Sequence, residues 1–236
     1  MALPALGQGL PFMRNYTAEE YDAHTRNFDI LVDPDEGVVY VANFEGLLFY
    51  DNAEWDIKHT PGYTRITKLY KDSEGTIWTG GYNYMGYLKM SDVNDLDLHA
   101  LENVSDFRGE VNRIWEADGV VMFATVKNEV YRVDGERLSK VGEGEHLLPE
   151  ERQHDYQSFQ DGDVQRLQLV DNFWAVAEAG KGIRFTDGQG NEIFRVTEEN
   201  GLINNNINRL SYDGRGLLWG ATDNGFFSLM VPSAYS

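Results

Sequence analysis

The chain of 236 residues repeats one short pattern five times. Each copy opens with alternating apolar and polar residues, passes through a turn rich in Asp and Gly, and ends in a short apolar stretch. An alternation of period two is typical of a strand with one buried face, and Asp and Gly favour the tight turn that joins two such strands. The five copies begin in the segments 26–42, 64–79, 111–124, 164–176 and 207–220.

A turn residue common to all five copies measures the length of the repeat. The shared positions Gly37, Gly75, Gly119, Asn172 and Gly216 are separated by 38, 44, 53 and 44 residues. A β-propeller blade of four strands occupies about 40 to 50 residues. The sequence therefore predicts an all-β fold, a β-propeller of about five four-stranded blades.

The remaining strands of each blade have signals of their own. Hairpin turns such as 43–46 and 223–225 carry the Gly and Asn that turns with positive φ require. Segments 96–101 and 192–196 supply fourth strands. The repeats are predicted at roughly 24–61, 62–105, 106–145, 160–200 and 201–236.

The two ends of the chain are incomplete in complementary ways. Residues 12–17 resemble a fourth strand with no blade before it, and the last repeat stops after its third strand, near Val231. Two arrangements are open: a ring closed by a blade that both ends share, or the front part of a larger, seven-bladed ring. The propeller domain is predicted over 10–236, and residues 1–9 are either a signal-peptide stub or an artificial start.

Charge and cysteine content exclude several functions. With 39 acidic and 20 basic residues the formal net charge is −19, which repels nucleic acid, anionic lipid and polyanionic ligands unless a basic pocket acts locally. There is no Cys, so disulfides, thiolate metal sites and a Cys nucleophile are excluded. No nucleic acid is expected to bind this segment.

Three tyrosines form the strongest candidate for a binding surface. Tyr82, Tyr84 and Tyr87 surround Gly81 and Gly86 in an aromatic loop or hairpin. Such rings can stack on a sugar or a peptide, although buried packing is the commoner use of an aromatic residue. The recurring Trp78, Trp174 and Trp219 are interpreted as packing between blades.

Two histidines lie in the longest interval between repeats. His146, Glu150 and His154 are spaced as metal ligands on a helix would be, but Pro149 disfavours a helix there. Long loops often carry binding residues, so His146 and His154 are predicted as ligand-binding residues of an otherwise solvated acidic loop. No metal, cofactor or catalytic residue is predicted.

Several motifs resemble one family. The segments 72–80 (Asp-Ser-Glu-Gly-Thr-Ile-Trp-Thr-Gly), 201–210 and 213–225 are similar to the regulator-type propeller repeats of bacterial hybrid two-component sensors and triple-tyrosine transcriptional regulators. The resemblance implies a periplasmic sensing region of a parent protein anchored in the inner membrane, with a kinase or DNA-binding output. Many relatives respond to carbohydrate breakdown products. The family usually has seven or more blades, which this chain does not reach.

These observations favour an extracytoplasmic sensor that binds a small molecule such as an oligosaccharide. The segment itself is expected to be non-catalytic, and any contact with a membrane is expected only through parts of the parent protein outside this chain. The alternatives are a protein-interaction or homodimerisation scaffold without a small ligand, and a propeller lyase or hydrolase.

Overall fold

The computed structural model describes residues 11–50, 54–90, 96–103, 107–148, 159–161, 164–170 and 172–231. Their strands form five separate antiparallel sheets, which are numbered here as blades in chain order. This confirms the predicted all-β propeller. Blade 1 contains β2 (Asn27–Asp33), β3 (Val38–Asn43), β4 (Gly46–Tyr50) and β5 (Trp55–Lys58).

Blades 2 and 3 repeat this order of four antiparallel strands. Blade 2 contains β6 (Ile66–Lys71), β7 (Ile77–Gly81), β8 (Tyr84–Met90) and β9 (Leu96–Ala100). Blade 3 contains β10 (Val111–Ala117), β11 (Val120–Thr125), β12 (Glu129–Asp134) and β13 (Arg137–Glu143).

Blade 4 has one strand more than the sequence predicts. A three-residue strand pairs with the inner strand, and the sheet order is β14-β15-β16-β17-β18. The pairing of residues 159–161 with residues 164–166 is not visible in the periodicity because so short a strand carries no alternation. The strands are β14 (Phe159–Asp161), β15 (Val164–Val170), β16 (Phe173–Glu178), β17 (Ile183–Asp187) and β18 (Glu192–Val196).

Blade 5 is built from both ends of the described chain. Its last three strands are β19 (Ile207–Tyr212), β20 (Leu217–Thr222) and β21 (Phe226–Met230), and its outer strand is β1 (Met13–Tyr16). Strand β1 pairs antiparallel with β21, with Met13 opposite Leu229 and Tyr16 opposite Phe226. This is the shared blade required by one of the two arrangements that the sequence left open.

The turn between the first two strands of a blade is held by an Asp side chain. In blade 2, Asp72 Oδ1 accepts hydrogen bonds from the backbone N–H groups of Glu74 and Thr76 at 3.0 and 2.8 Å. In blade 5, Asp213 Oδ1 accepts from Arg215 and Leu217. These contacts explain why the repeat places Asp there, since the carboxylate satisfies N–H groups that the ladder leaves unpaired.

The core consists of apolar layers between neighbouring blades. Among the described residues one layer joins blades 1 and 2, and others join blades 2 and 3, blades 4 and 5, and blades 5 and 1. Trp78 and Trp219 lie in two of these layers, as interpreted from the sequence. Among the described residues, the face of blade 3 that points away from blade 2 carries no such layer. Trp115, Ala124 and Val130 form a small cluster there that contains no described residue of blade 4.

Helical structure is confined to α1 (Ala18–Tyr21) and two 3-10 turns, Glu145–Leu147 and Glu198–Asn200, in the described part of the chain. Within that same part, no helix has the length and apolar character needed to cross a membrane.

Candidate functional site

Residues from the inner strands of four blades line a cavity of about 630 Å³. Its wall is formed by residues of β2, β6, β15 and β19 and by the turns that follow them. Apolar side chains such as Leu31 and Leu167 alternate there with charged ones, including Asp29, Lys71 and Arg209. A cavity of about 300 to 1,000 Å³ with apolar walls and a few polar groups is typical of small-molecule sites.

One position of the inner strand recurs in all five blades and carries a polar side chain. Its members pair with Ala or Gly on the second strand, and they are Asp29, Lys68, Arg113, Gln165 and Arg209. In four of the five blades an irregularity in the register lies directly before this position. We call these five residues the inner ring.

Members of the inner ring connect one blade to the next. Asp29 Oδ2 accepts a hydrogen bond from the Leu69 N–H of blade 2 at 3.0 Å. Gln165 Oε1 accepts from the Leu210 N–H of blade 5 at 2.7 Å, and its Nε2 donates to the Leu210 carbonyl at 3.1 Å. The Arg209 guanidinium of blade 5 lies 3.5 Å from Asp29 Oδ1 of blade 1 and connects these two blades.

Lys68 differs from these members because its ammonium group has no ion pair or hydrogen bond with any described residue. Burial lowers the pKa of Lys68; Asp29 opposes that effect, and Arg209 and Arg113 add to it. A desolvated ammonium with nearby cations is costly to keep charged, and such groups concentrate at functional sites.

One ion pair lies at the rim of the cavity. Lys71 Nζ donates to Asp33 Oδ2 at 2.6 Å and joins blades 1 and 2. Burial acts to raise the pKa of Asp33, but Lys71 and the backbone N–H groups of Asp35 and Glu36 outweigh it and leave the pKa below its ordinary value. Asp33 is therefore held as a carboxylate.

The opposite end of blades 1 and 2 exposes aromatic side chains. Phe44, Tyr63 and Tyr82 are 41%, 77% and 42% exposed. The Arg65 guanidinium lies 4.8 Å from the ring of Tyr82 and 6.0 Å from that of Phe44, and His59 stacks on Tyr63. We call Phe44, Tyr63 and Tyr82 the aromatic face.

The three predicted binding tyrosines do not lie together. Tyr82 belongs to the aromatic face, whereas Tyr84 is 2% exposed in the core between blades 1 and 2 and accepts a hydrogen bond from Thr79 Oγ1. Burial raises the pKa of Tyr84. Tyr87 packs beside Trp78 toward blade 3 and donates to Glu136 at 2.8 Å. A single ligand cannot contact all three rings at this surface.

Of the two histidines predicted to bind a ligand, the structure describes only one. His146 is exposed in the 3-10 turn Glu145–Leu147, and His154 lies outside the described residues. Among the residues that are described, no group of three or more His, Asp or Glu side chains is arranged to hold a metal. Binding by His146 and His154 stays a prediction.

The inner ring was not selected from the sequence, although its signal is present there. In four blades the polar residue stands two positions after the first residue of the inner strand, as in Ile66 to Lys68 and Ile207 to Arg209. A charged residue in an alternating strand suggests the solvated face. Only the assembly of blades turns that face toward a shared centre.

Comparison with known proteins defines the class as a β-propeller and no finer group. No protein-family model matches the chain, and no curated protein matches it in sequence. Among solved structures, the WD40 β-propeller domain of Doa1 is 13% identical with a TM-score of 0.51, over 95% of this chain and 99% of that one. At this identity the likeness shows the fold alone.

Two other solved structures are similar to this chain. A gluconolactonase from Xanthomonas campestris is 11% identical with a TM-score of 0.55, and the match covers 96% of this chain and 98% of that one. The extracellular domain of a putative hybrid two-component system from B. thetaiotaomicron is 14% identical with a TM-score of 0.49, over 95% of this chain and 40% of that domain.

The gluconolactonase corrects one expectation from the sequence. The segment was expected to be non-catalytic because no catalytic motif is visible in the sequence. An enzyme shares the fold over nearly its whole length, and propeller enzymes can draw their reactive groups from several blades, so a missing linear motif excludes nothing.

Proposed function

We propose that this chain is the ligand-binding region of an extracytoplasmic sensor and that the cavity lined by its inner strands binds a small polar molecule such as an oligosaccharide fragment. In the full proposal the region is periplasmic and belongs to a two-component-type parent protein anchored in the inner membrane. The observation that supports it most directly is the cavity of about 630 Å³ at the meeting point of four inner strands.

The lining of the cavity suits a sugar-sized polar ligand. Apolar walls contributed by Leu31, Leu69 and Leu167 can cover a ring, and the ion pair between Asp29 and Arg209, from the neighbouring blades 1 and 5, supplies polar groups beside them. A few convergent polar groups on an apolar wall orient a small ligand and provide its specificity.

A thermal-shift screen of mono- and oligosaccharides tests this function. A ligand that binds only the folded state stabilises it by RT ln(1 + [L]/Kd), so the melting temperature rises with the logarithm of the ligand concentration. Gln168 lines the cavity, and Gln168→Trp is expected to abolish the shift by filling the space. Gln189→Trp adds the same ring at an exposed turn outside the cavity and is expected to keep the shift. A screen without any shift, or a shift that Gln168→Trp retains, would count against the cavity.

The aromatic face supports a second candidate, docking of a protein partner or of a second copy of this chain. Aromatic residues and Arg are enriched at protein interfaces, and Phe44, Tyr82 and Arg65 are clustered there. Sedimentation of the chain and of Tyr63→Ser/Tyr82→Ser tests it. A dimer that the double variant dissociates supports docking, and a monomer at every concentration contradicts homodimerisation.

A further inference from the structure

The charged side chains that line the cavity of about 630 Å³ do not balance. Acidic groups outnumber basic ones by two to one in the described lining, which contains Asp29, Asp35, Asp72, Asp213, Lys71 and Arg209. All six come from blades 1, 2 and 5, and apolar layers join blade 1 to each of the other two. The excess of negative charge is therefore concentrated on one side of the cavity.

Both cations of the lining are already neutralised by carboxylates. The Arg209 guanidinium lies 3.5 Å from Asp29 Oδ1, and Lys71 Nζ donates to Asp33 Oδ2 at 2.6 Å. Neither cation is left to balance the remaining acidic groups of the cavity.

Three carboxylates of the lining, Asp35, Asp72 and Asp213, form no ion pair with a described residue. Asp72 is occupied by neutral N–H donors on both oxygens, including Trp78 Nε1 at 2.7 Å. Asp213 uses only Oδ1 for its turn, and the side chain of Asp35 accepts no hydrogen bond from the described residues. Arg215 follows in the same turn as Asp213, but it does not line the cavity and forms no ion pair with the described part of the chain. Asp213 Oδ2 and both oxygens of Asp35 are thus left for a ligand.

Asp35 and Asp213 lie in adjacent turns. The two turns follow β2 and β19, the inner strands of the neighbouring blades 1 and 5. The Val32 N–H of β2 donates to Ser211 Oγ of β19 at 3.3 Å, so the two strands are joined shortly before their turns begin. Both carboxylates therefore stand at the same end of the cavity, where one ligand can meet them together.

Two titratable groups of the lining respond to this negative charge. Burial acts to lower the pKa of Lys71, but carboxylates led by Asp33 and including Asp35 outweigh it and leave the pKa above its ordinary value. Burial raises the pKa of the Tyr212 hydroxyl, and Asp213 raises it further. In both cases the cavity wall favours the more positive form of the group.

We infer that the cavity binds a sugar with a free amine and that Asp35 and Asp213 hold its ammonium group. This inference rests on the proposed function and names its ligand class. An ammonium group donates charge-assisted hydrogen bonds to carboxylates, and apolar residues such as Leu31 and Leu167 cover the sugar ring. An anionic sugar would instead meet uncompensated carboxylates in a chain of net charge −19.

The test uses three disaccharides that differ only at C2: the β1,4-linked dimer of D-glucosamine, its N-acetylated form, and cellobiose. At pH 6 the sugar amines are protonated, and Asp side chains, with an ordinary pKa of about 3.9, are ionised. Calorimetry and thermal shift are expected to show that the glucosamine dimer binds at least about tenfold more tightly than the other two. Gln168→Trp is expected to abolish binding of all three.

Asp35→Asn and Asp213→Asn are each expected to weaken binding of the glucosamine dimer by about threefold to tenfold and to leave cellobiose binding unchanged. Asn at position 213 removes the charge but keeps an oxygen that can accept the hydrogen bonds of the turn. The ligand-free melting temperature of each variant is the folding control. Asp35 accepts no such bonds from the described residues, so Asp35→Asn keeps the test decisive if Asp213→Asn does not fold.

Glu36→Gln and Glu74→Gln are the matched controls. Each removes one negative charge from an exposed turn position that does not line the cavity. Both variants are expected to bind the glucosamine dimer like the wild-type chain. An equal loss in all four variants would mean that only net charge matters, and it would overturn the site.

The remaining outcomes separate this inference from the proposed function. If the glucosamine dimer and cellobiose bind equally and Gln168→Trp abolishes both, the proposed function stands and the ammonium site is wrong. If the N-acetylated dimer binds as tightly as the free amine, the positive charge is not recognised and the inference is overturned. If the glucosamine dimer fails while another glycan shifts the melting temperature, the ligand class alone is refuted.

Cyclohexylammonium tests the charge preference without a sugar. If it binds to the wild-type chain but not to Gln168→Trp while no sugar binds, the ammonium site stands and the proposed sugar ligand is wrong. If neither cyclohexylammonium nor any sugar binds, both the inference and the proposed function are refuted.

Discussion

Gln165 makes two hydrogen bonds to the backbone of Leu210, one as acceptor and one as donor, at 2.7 and 3.1 Å. Both residues are buried. The carboxamide thus satisfies both backbone groups of a residue in the neighbouring blade. Asp29 satisfies one backbone group of Leu69 in blade 2, because one of its carboxylate oxygens accepts a hydrogen bond from the Leu69 N–H. Polar side chains at the same position of the inner strand therefore join blade 1 to blade 2 and blade 4 to blade 5, beside the cavity.

Replacing Gln165 with Leu is expected to destabilise the fold by about 2 to 3 kcal/mol, since it leaves the Leu210 N–H and carbonyl buried and unpaired. Urea unfolding measures the free energy of unfolding. Gln189→Leu, at an exposed turn, is the control and is expected to change stability by less than about 0.5 kcal/mol. Equal losses in the two variants would contradict the role of the contact.

Tyr16 joins the first described strand to blade 5 and to blade 1. Its ring stacks on Trp219 and Phe226 and meets the edge of Trp55. Tyr16→Ala is expected to cost about 3 to 5 kcal/mol because it leaves a cavity in that layer. Tyr63→Ala removes an equally large ring that is 77% exposed and should be nearly neutral in thermal unfolding. A mild effect of Tyr16→Ala would mean that β1 contributes little to stability.

Gly81 lies where two backbone segments of blade 2 come close together. A Cβ atom there would stand 2.0 Å from the Arg65 carbonyl oxygen, whereas one at Gly62 would meet only a Thr64 methyl group at 3.6 Å. Gly81→Ala is expected to destabilise by about 1 to 3 kcal/mol or more through the forced backbone shift, and Gly62→Ala to be neutral. Chemical denaturation measures the free energy of unfolding of both variants, and equal values would contradict the close approach of the two backbone segments at Gly81.

Asp33 and Lys71 predict an acid-sensitive contact between blades 1 and 2. The folded-state pKa of Asp33 is below its ordinary value of 3.8, so its stabilising contribution is present above pH 3.8 and is lost as pH falls through the folded pKa. The contribution of this charged, buried hydrogen bond is expected to be about 1.5 to 3 kcal/mol.

The measurement for this pair is the free energy of unfolding as a function of pH in the wild-type chain and in Asp33→Asn. The variant is expected to be less stable at neutral pH and to lose less stability below pH 4 than the wild-type chain. Parallel curves would contradict the assignment, because the many other carboxylates titrate in both proteins. Asp35→Asn, an exposed neighbour on the same turn, is the control.

Part of the candidate site could be predicted from the sequence and part could not. The polar residues Lys68 and Arg209 stand at matching places in their repeats, so their equivalence is readable from the chain. The direction in which these side chains point cannot be read from the chain, because a strand has two faces and the neighbouring blade decides which face is buried. Tyr82 and Tyr84 differ for another reason: Tyr82 lies in the turn between β7 and β8 and is 42% exposed, whereas Tyr84 begins β8 and is 2% exposed in the core.

The sequence by itself determined the repeat and its turns, since alternation and turn residues are local properties of the chain. Only the tertiary structure decided that residues 13–16 pair with the last strand of blade 5, that β14 adds a fifth strand to blade 4, and that residues of four inner strands line a common cavity. These features depend on how separate sheets are arranged around a centre, and that arrangement is set by packing between residues far apart in the chain.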